Sequence, residues 1–327
     1  MDLPHQSALA PFRLKPWFSP RPWGRHSLSP WYSAAQTGTT EPIGEAWLTG
    51  SQCTVETGPL AGQTLASIAA SHAAELLGAQ ATPAEFPLLI KLLFPAEKLS
   101  VQVHPDDAHA QAMGQPRGKT ECWYVLSAEP GAQIALGLKP ALTPEQITPD
   151  ALRSAISAGT LEDLLNWLPV TPGDMVFVDA GTIHAIGPGV VLLETQQTCD
   201  ITFRMYDYGR PRELHINDAL RVMKNHTAAG KVPPQKLRTA SGSEFIRLIQ
   251  QQYFTVDRYD LCTNSEVIIN TDRPGCIVAL TCSVSVISAS QHAIEALPGQ
   301  AVVLPASASS LKVETRAGTS FVHCWAP

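Results

Sequence analysis

The sequence Ser-Val-Gln-Val-His-Pro-Asp-Asp, residues 100–107, predicts a β-strand that presents two polar side chains on one face. Successive side chains of a strand point to opposite faces, so Gln102 and His104 share one side and the two valines the other. Pro105 has no backbone N–H to donate, and we expect the strand to end there. A single rigid strand therefore carries an amide and an imidazole side by side, an arrangement that suits a metal site.

A second strand with polar pairing is predicted shortly afterwards, over residues 119–126. Lys119 and Glu121 share a face of this strand by the same period of two. Imidazole, amide oxygen and carboxylate are all ligands that Zn²⁺ accepts, whereas a lysine is a poor ligand. The lysine is instead a cation for a phosphate or a developing oxyanion. Taken alone, however, a buried histidine is more often a hydrogen-bonded core residue than a ligand.

A third stretch, residues 171–186, predicts a Pro-Gly-Asp turn, a short strand, an Ala-Gly-Thr turn and then His184 at the start of another strand. This pattern resembles the second signature of cupins, small double-stranded β-helix barrels in which such turns deliver one histidine into the barrel mouth. The first cupin signature usually supplies two histidines and a glutamate. Here Gln102 stands in place of one of those histidines.

Five ordered motifs extend this resemblance: the apolar run 86–91 ending in Lys91, SVQVHPDD (100–107), GKTECWY (118–124), GTIHAIG (181–187) and LETQQTCDITFR (193–204). With them the chain resembles the type I mannose-6-phosphate isomerases, particularly their short bacterial form. The resemblance covers about residues 10–225 well and the remainder loosely. The five motifs are specific together, although no single one of them is.

The resemblance implies a zinc site made of Gln102, His104, Glu121 and His184, with one Zn²⁺ per chain. It also implies an active-site arginine at Arg204. Two active-site lysines of the family match this chain's Lys119 and Lys91.

The activity that the resemblance implies is the interconversion of mannose 6-phosphate and fructose 6-phosphate, in which a proton moves between C2 and C1 through a cis-enediol. A metal acting as a Lewis acid would polarise the carbonyl, and a base must carry the proton. Glu194 and Asp200 are both candidates for the base, and both also fit ordinary hydrogen-bonding roles. Arg204 and Lys119 are candidates for binding either the phosphate or the enediolate. An ion pair of Arg204 with Asp200 or Asp207 is the structural alternative.

The predicted fold is mainly β, with two cupin-like barrels and a small helical insertion at about residues 141–168. The catalytic, metal-binding domain is predicted over residues 1–230 and a second cupin-like domain over residues 235–327. Residues 297–306 repeat the pattern of residues 171–180, and this alignment places Ser310 where the first domain has His184. We therefore expect the second domain to be metal-free.

Composition excludes several classes of protein. The 327 residues carry a net charge of −6 without a basic run, which argues against nucleic-acid binding. There is no apolar run of the roughly 18 to 20 residues that a membrane helix needs, and no signal peptide is recognised. The seven cysteines are scattered, as expected of reduced thiols in the cytoplasm. The expected partner is a small phosphosugar, and both a monomer and a homodimer remain open.

Two further classes of function compete with the isomerase. One is another metal-dependent cupin, either a cupin-type glucose-6-phosphate isomerase or an oxygenase, although Gln102 suits the histidine-rich iron site of an oxygenase poorly. The other is a non-catalytic sugar-binding protein with two cupin barrels, which the fold alone would allow. Intact Lys119, Glu121 and Arg204 argue against the second.

Overall fold

The computed structural model describes residues 9–78, 84–289 and 292–327, most of whose regular elements are β-strands. The strands are β1 (Phe12–Arg13), β2 (Trp17–Arg25), β3 (Ile43–Trp47), β4 (Leu88–Leu93), β5 (Val101–Val103), β6 (Glu121–Ala128), β7 (Gln133–Leu138), β8 (Leu165–Pro169), β9 (Met175–Val178), β10 (His184–Ile186), β11 (Val190–Gln197), β12 (Phe203–Tyr206), β13 (Gly230–Val232), β14 (Gln235–Ala240), β15 (Ser243–Gln250), β16 (Thr255–Leu261), β17 (Ser265–Thr271), β18 (Gly275–Ala279), β19 (Val284–Ile287), β20 (Ala293–Ala296), β21 (Ala301–Leu304), β22 (Ser309–Thr315) and β23 (Thr319–Trp325). The predicted mainly β fold is confirmed.

Helices are short and few among the described residues. The α-helices are α1 (Ala34–Thr37), α2 (Leu65–Ser71), α3 (Ala73–Leu77), α4 (Asp107–Ala112), α5 (Pro149–Ala158) and α6 (Ile216–Val222), and 3₁₀ helices lie at Pro144–Ile147, Leu161–Leu164 and Ala306–Ala308. In the described part of the chain, no helix combines the length and the apolar character that crossing a bilayer requires.

The predicted helical insertion contains α5 between two 3₁₀ helices, and its last residues already belong to β8. Thr148 caps the start of α5 by accepting a hydrogen bond from the Ala151 amide, with Pro149 at the first helical position. Gly159 ends the helix in the left-handed conformation, with φ of 73°.

The described residues form two compact units, one made of residues 18–46 and 91–233 and the other of the remaining segments. The first unit contains a five-stranded sheet in the order β12-β5-β10-β7-β8. A seven-stranded sheet, β13-β9-β6-β11-β4-β3-β2, supplies most of its other strands. These two sheets carry the site described below.

The apolar face of β5 is buried, as its alternating sequence predicts. Val101 and Val103 have no exposed surface and belong to one core cluster with apolar residues of α5 and α6. Burial of this face directs Gln102 to the opposite side of the sheet. The local sequence and the packing thus agree on where the polar face of β5 points.

The second unit contains the sheet β1-β21-β18-β23-β16-β15-β14 and the sheet β17-β22-β19-β20. Their inner faces share one apolar cluster that includes Ile277, Val302, Leu311 and Phe321.

A buried histidine on β23 makes the stability of the protein depend on pH. Burial lowers the pKa of His323 to about 3, whereas an unfolded chain titrates near 6.5. Between these pH values the unfolded state binds a proton that the native state does not bind, so the free energy of unfolding decreases as pH falls below 6.5. We expect His323→Gln to remove up to about 1.4 kcal/mol of this loss per pH unit, measured by urea unfolding. Equal pH slopes for both proteins would contradict this assignment.

Candidate active site

One row across the five-stranded sheet brings together three of the predicted site residues. His184 on β10 lies opposite Gln102 on β5, and Gln102 lies opposite Arg204 on β12. Directly opposed residues of antiparallel strands share a face, about 4.5–5.5 Å apart. The polar side of this sheet therefore presents an imidazole, an amide and a guanidinium on three neighbouring strands.

The seven-stranded sheet supplies two glutamates and a lysine, while Asp200 lies between β11 and β12. Glu121 begins β6, Glu194 lies opposite Trp123 in the pairing of β11 with β6, and Lys91 lies on β4. The predicted site residues thus come from both sheets of the unit, and the structure brings all nine of them into one region.

Three of the predicted metal ligands converge. One ligand atom from each of His104, Glu121 and His184 lies within 4.8 Å of the other two, and each residue is only 1% exposed. His104 Nδ1 lies 2.8 Å from the Ile201 carbonyl oxygen, and His184 Nδ1 lies 2.9 Å from that of Thr182. Each Nδ1–H is donated to a carbonyl, so Nε2 carries the lone pair that a metal would use. In this structure Lys119 Nζ lies 3.1 Å from Nε2 of His104, and Gln102 Nε2 lies 3.2 Å from that of His184.

The carboxylate of Glu121 completes the donor set. Its oxygens lie 3.7 Å from His104 Nε2 and 3.6 Å from His184 Nε2. Glu121 Oε1 is buried without a hydrogen-bond partner among the described residues, while Oε2 accepts from Lys119 Nζ. A buried oxygen without a donor is costly unless a cation binds it, so these three residues fit a divalent metal.

Gln102 stands beside the triad with its amide nitrogen facing His184, at 3.2 Å between the two Nε2 atoms. Its Oε1 accepts from the Ser100 hydroxyl at 3.1 Å. To ligate a metal, Gln102 must turn its amide oxygen toward the triad, which a half-turn about the Cγ–Cδ bond achieves. Ser100 can serve both orientations because a hydroxyl both donates and accepts.

Burial keeps both imidazoles neutral, which is the state that binds metals. Desolvation lowers the pKa of His184 to about 4, since its backbone hydrogen bond to Thr182 offsets only part of the effect. Desolvation and the nearby Lys119 ammonium hold the pKa of His104 well below its usual range.

Lys91 lies in the middle of an apolar strand and is paired rather than solvated. Its Nζ lies 2.9 Å from Asp200 Oδ1 and 3.6 Å from Glu194 Oε2. Burial alone would lower the pKa of this lysine, but the charges of Asp200, Glu45 and Glu194 raise it above its ordinary value. Lys91 therefore remains charged.

The two candidate bases differ in their electrostatics. Burial raises the pKa of Glu194, and Lys119 and Lys91 only partly oppose this effect. Glu194 Oε1 also accepts from Trp123 Nε1 at 3.2 Å. For Asp200, burial would raise the pKa, but the charge and hydrogen bond of Lys91, together with the charges of Lys119 and Arg21, outweigh burial and lower the pKa below its usual value.

Arg204 has no carboxylate partner among the described residues. Its Nη1 donates to the Glu213 carbonyl at 2.7 Å, and its Nε is buried without an acceptor in that part of the chain. The two carboxylates considered as partners from the sequence bind other cations: Asp200 binds Lys91, and Asp207 binds Arg210 and Arg212. Arg204 therefore does not form the ion pair with Asp200 or Asp207 that the sequence left open.

A cavity of about 500 Å³ lies next to these residues, a size that suits a small molecule. Gln102, Lys119, Glu194, Asp200 and Arg204 are among the residues that line it, and the metal-ligand triad lies behind Gln102 and Lys119. The sequence did not single out four further lining residues as members of the site: Arg21, Glu45, Ser100 and Arg212. Arg212 lies in a Pro-Arg-Glu-Leu-His run shortly after the last motif, and this closeness to the motif is the sequence signal that could have identified it as a site residue.

Gly118 fixes the approach of Lys119 and Glu121 to the neighbouring loop. A Cβ at this position would lie 2.4 Å from the Asp106 carbonyl carbon and 2.5 Å from the Pro105 carbonyl oxygen. We expect Gly118→Ala to destabilise the protein by roughly 1–3 kcal/mol, because backbone must move to admit the methyl group. The measurement is the Tm. The control is Gly230→Ala, where the described residues leave open space, and an equal Tm for the two variants would contradict the expectation.

Comparison with known proteins agrees with the motifs. A family model described as phosphomannose isomerase type I, catalytic domain, matches residues 11–136. Mannose-6-phosphate isomerase of Streptococcus mutans is 38% identical over 232 residues, covering 68% of this chain and 70% of that protein. Mannose-6-phosphate isomerase ManA of Bacillus subtilis is 31% identical over 321 residues, covering 93% and 96% respectively.

The fold agrees as well. The crystal structure of the mannose 6-phosphate isomerase from Bacillus subtilis matches with a TM-score of 0.83 and 29% identity, covering 97% of this chain and 99% of that one. This likeness confirms the predicted cupin-like architecture. Since one of the two sequence relatives matches 93% of the chain at 31% identity and the other 68% at 38%, the chain belongs to the type I phosphomannose isomerase family.

Proposed function

We propose that this chain is a zinc-dependent aldose–ketose isomerase that interconverts mannose 6-phosphate and fructose 6-phosphate through a cis-enediol. The observation that carries the proposal is the His104–Glu121–His184 triad behind a cavity that Arg204 also lines. Membership of the family, whose relatives are named mannose-6-phosphate isomerases, supports the substrate.

The metal would be held by His104, Glu121 and His184, with Gln102 as the fourth ligand once its amide oxygen faces the triad. Two neutral imidazoles and a carboxylate form a donor set that zinc prefers. When bound, zinc supplies Lewis-acid polarisation of the sugar carbonyl.

Glu194 is the better candidate for the residue that carries the proton. Because its pKa is raised, it releases and takes up a proton closer to neutral pH than an ordinary carboxylate does. Asp200 is a weaker base because the adjacent Lys91 lowers its pKa. In this assignment Lys91 and Asp200 position each other and Glu194, and Lys119 provides a positive charge at the cavity side of the triad.

The site on the first unit is proposed to be the metal site of the whole chain, and the segment 235–327 a metal-free cupin-like domain. We expect crystals of the zinc-loaded protein to show a single anomalous peak at the zinc edge, next to His104 and His184. An additional occupied peak within residues 235–327 would contradict the metal-free assignment.

The proposed setting is the cytoplasm, with a free phosphosugar as the partner. All seven cysteines lie in the described ranges and none forms a disulfide, as expected under reducing conditions.

A coupled assay that starts from fructose 6-phosphate and detects mannose 6-phosphate tests the proposal directly. The same assay with glucose 6-phosphate as the detected product separates this activity from that of a cupin-type glucose-6-phosphate isomerase. Metal analysis of protein purified without added metal distinguishes zinc from the iron of an oxygenase. Absence of turnover by zinc-loaded protein with both products would leave the non-catalytic sugar-binding protein.

A further inference from the structure

Three arginines line one cavity together. Arg21 lies on β2, Arg204 on β12, and Arg212 in the segment that follows β12. We call Arg21, Arg204 and Arg212 the arginine wall. Arg204 lies in the last of the five motifs and Arg212 in the Arg-Glu-Leu-His run that continues the resemblance, whereas Arg21 lies in neither.

Two members of the arginine wall are held in place by carboxylates. Arg21 donates from Nε and Nη2 to the two oxygens of Glu45, at 3.2 Å each. Arg212 donates from the same two nitrogens to Asp207, at 2.6 and 2.7 Å. A guanidinium has five N–H donors in a rigid fork, so binding one edge fixes its orientation and leaves donors on the other edge. On that edge Arg21 Nη1 makes one long contact, 3.4 Å to the Pro20 carbonyl oxygen, and its other donors remain.

Most charges beside the cavity are paired. Lys91 lies against Asp200 and Glu194, and Lys119 against Glu121. Asp207 binds Arg210 and Arg212, and Arg210 also lies 3.5 Å from Glu97, so these four side chains carry no net charge. Arg204 keeps its positive charge, since no carboxylate of the described residues pairs with it. A phosphate at this wall would therefore be held mainly by directed N–H donors of the guanidinium groups.

Arg204 lies close enough to Arg21 and Arg212 for their charges to act on it. Burial lowers the pKa of Arg204, and the positive charges of Arg212 and Arg21 lower it further. Like charges held this close repel one another, so an anion that binds between them relieves the repulsion.

We propose that Arg21 and Arg212 are specificity-determining residues that bind the phosphate group of the sugar through their free guanidinium edges. The inference rests on the proposed function for the identity of the sugar. A six-carbon sugar phosphate has its reacting carbons at one end and its phosphate at the other. Arg204 lies next to Gln102 in the row of the five-stranded sheet, so it is the member of the wall that serves the reacting end. The proposal assigns Arg21 and Arg212 to the phosphate end.

Steady-state kinetics with mannose 6-phosphate test the assignment. Arg21→Gln and Arg212→Gln should each raise KM roughly 10- to 100-fold, the range for losing a hydrogen bond to a charged group, with kcat within about threefold of wild type. Arg212→Lys should recover part of the loss, because lysine keeps the charge without the fork.

Matched controls separate phosphate binding from local structure. Arg25→Gln removes an arginine from the same strand as Arg21, and Arg221→Gln removes an exposed arginine that pairs with Asp218; neither lines the cavity. Both controls should keep the wild-type KM. A parallel fall of kcat and zinc content in Arg21→Gln and Arg212→Gln would overturn the proposal in favour of a structural role.

Calorimetric titration with inorganic phosphate tests the same residues without turnover. We expect wild-type protein to bind phosphate, and Arg21→Gln and Arg212→Gln to bind it at least about tenfold more weakly. Unchanged phosphate affinity together with unchanged KM in both variants would overturn the inference. If the wild-type protein binds phosphate through these arginines but does not isomerise mannose 6-phosphate, the proposed function fails and the phosphate subsite stands.

Discussion

Replacing His184 by alanine is expected to abolish both zinc binding and isomerase activity. The substitution removes one of two buried imidazoles whose Nε2 atoms face the Glu121 carboxylate. Loss of a partner behind a ligand typically costs 10–100-fold in metal affinity, so loss of a ligand itself should cost more than roughly 100-fold. The measurements are zinc content after exhaustive dialysis and kcat in the coupled assay.

The control for this experiment is His26→Ala, which removes an exposed imidazole that interacts with the Thr40 carbonyl. It should retain one zinc per chain and full activity. His104→Ala should behave like His184→Ala. A full equivalent of zinc in the His184→Ala protein would show that the triad is not the metal site.

Replacing Arg204 by alanine is expected to lower kcat by roughly 100-fold or more while KM changes little. The guanidinium lies one strand from Gln102 and two strands from His184 in a single row, which places it at the reacting end of the cavity. Loss of one donor to a developing oxyanion has an effect of this size. Zinc content and folding should be unchanged, because arginine is no ligand and its Nη1 holds only a backbone carbonyl.

The alternative role of Arg204 gives the opposite kinetic pattern. If this arginine binds the phosphate, Arg204→Ala should raise KM and weaken phosphate binding, with kcat nearly preserved. Arg204→Lys, which keeps the charge, helps to distinguish loss of charge from loss of the planar fork. Near-normal kcat and KM in Arg204→Ala would exclude both roles.

The polar face of β5 could be predicted from the sequence because it depends on local alternation alone. The period of two separates Gln102 and His104 from two valines, and the buried valines bear this out. The approach of Glu121 and His184 to this strand depends on pairing between distant segments. It became predictable only through the resemblance to a family.

Other parts of the site depend on distant pairing without a motif to reveal it. The sequence offers Glu45 on one strand and Arg21 on another, and nothing local indicates that they form an ion pair beside the cavity. The orientation of the Gln102 amide is similarly beyond sequence, because it depends on the Ser100 hydroxyl and the His184 ring.

The backbone contacts of the two histidine ligands have a consequence for how this site tolerates mutation. In both rings the proton on Nδ1 is held by a main-chain carbonyl, of Ile201 for His104 and of Thr182 for His184. Any residue at positions 182 and 201 supplies the same carbonyl, provided the chain path is kept. The orientation of both imidazoles therefore depends on backbone carbonyl groups and not on a particular side chain as the acceptor. A substitution at position 201 that keeps the chain path leaves the nitrogen atoms that face Glu121 in place, whereas position 182 is further constrained because its buried hydroxyl donates to the Asp179 carbonyl.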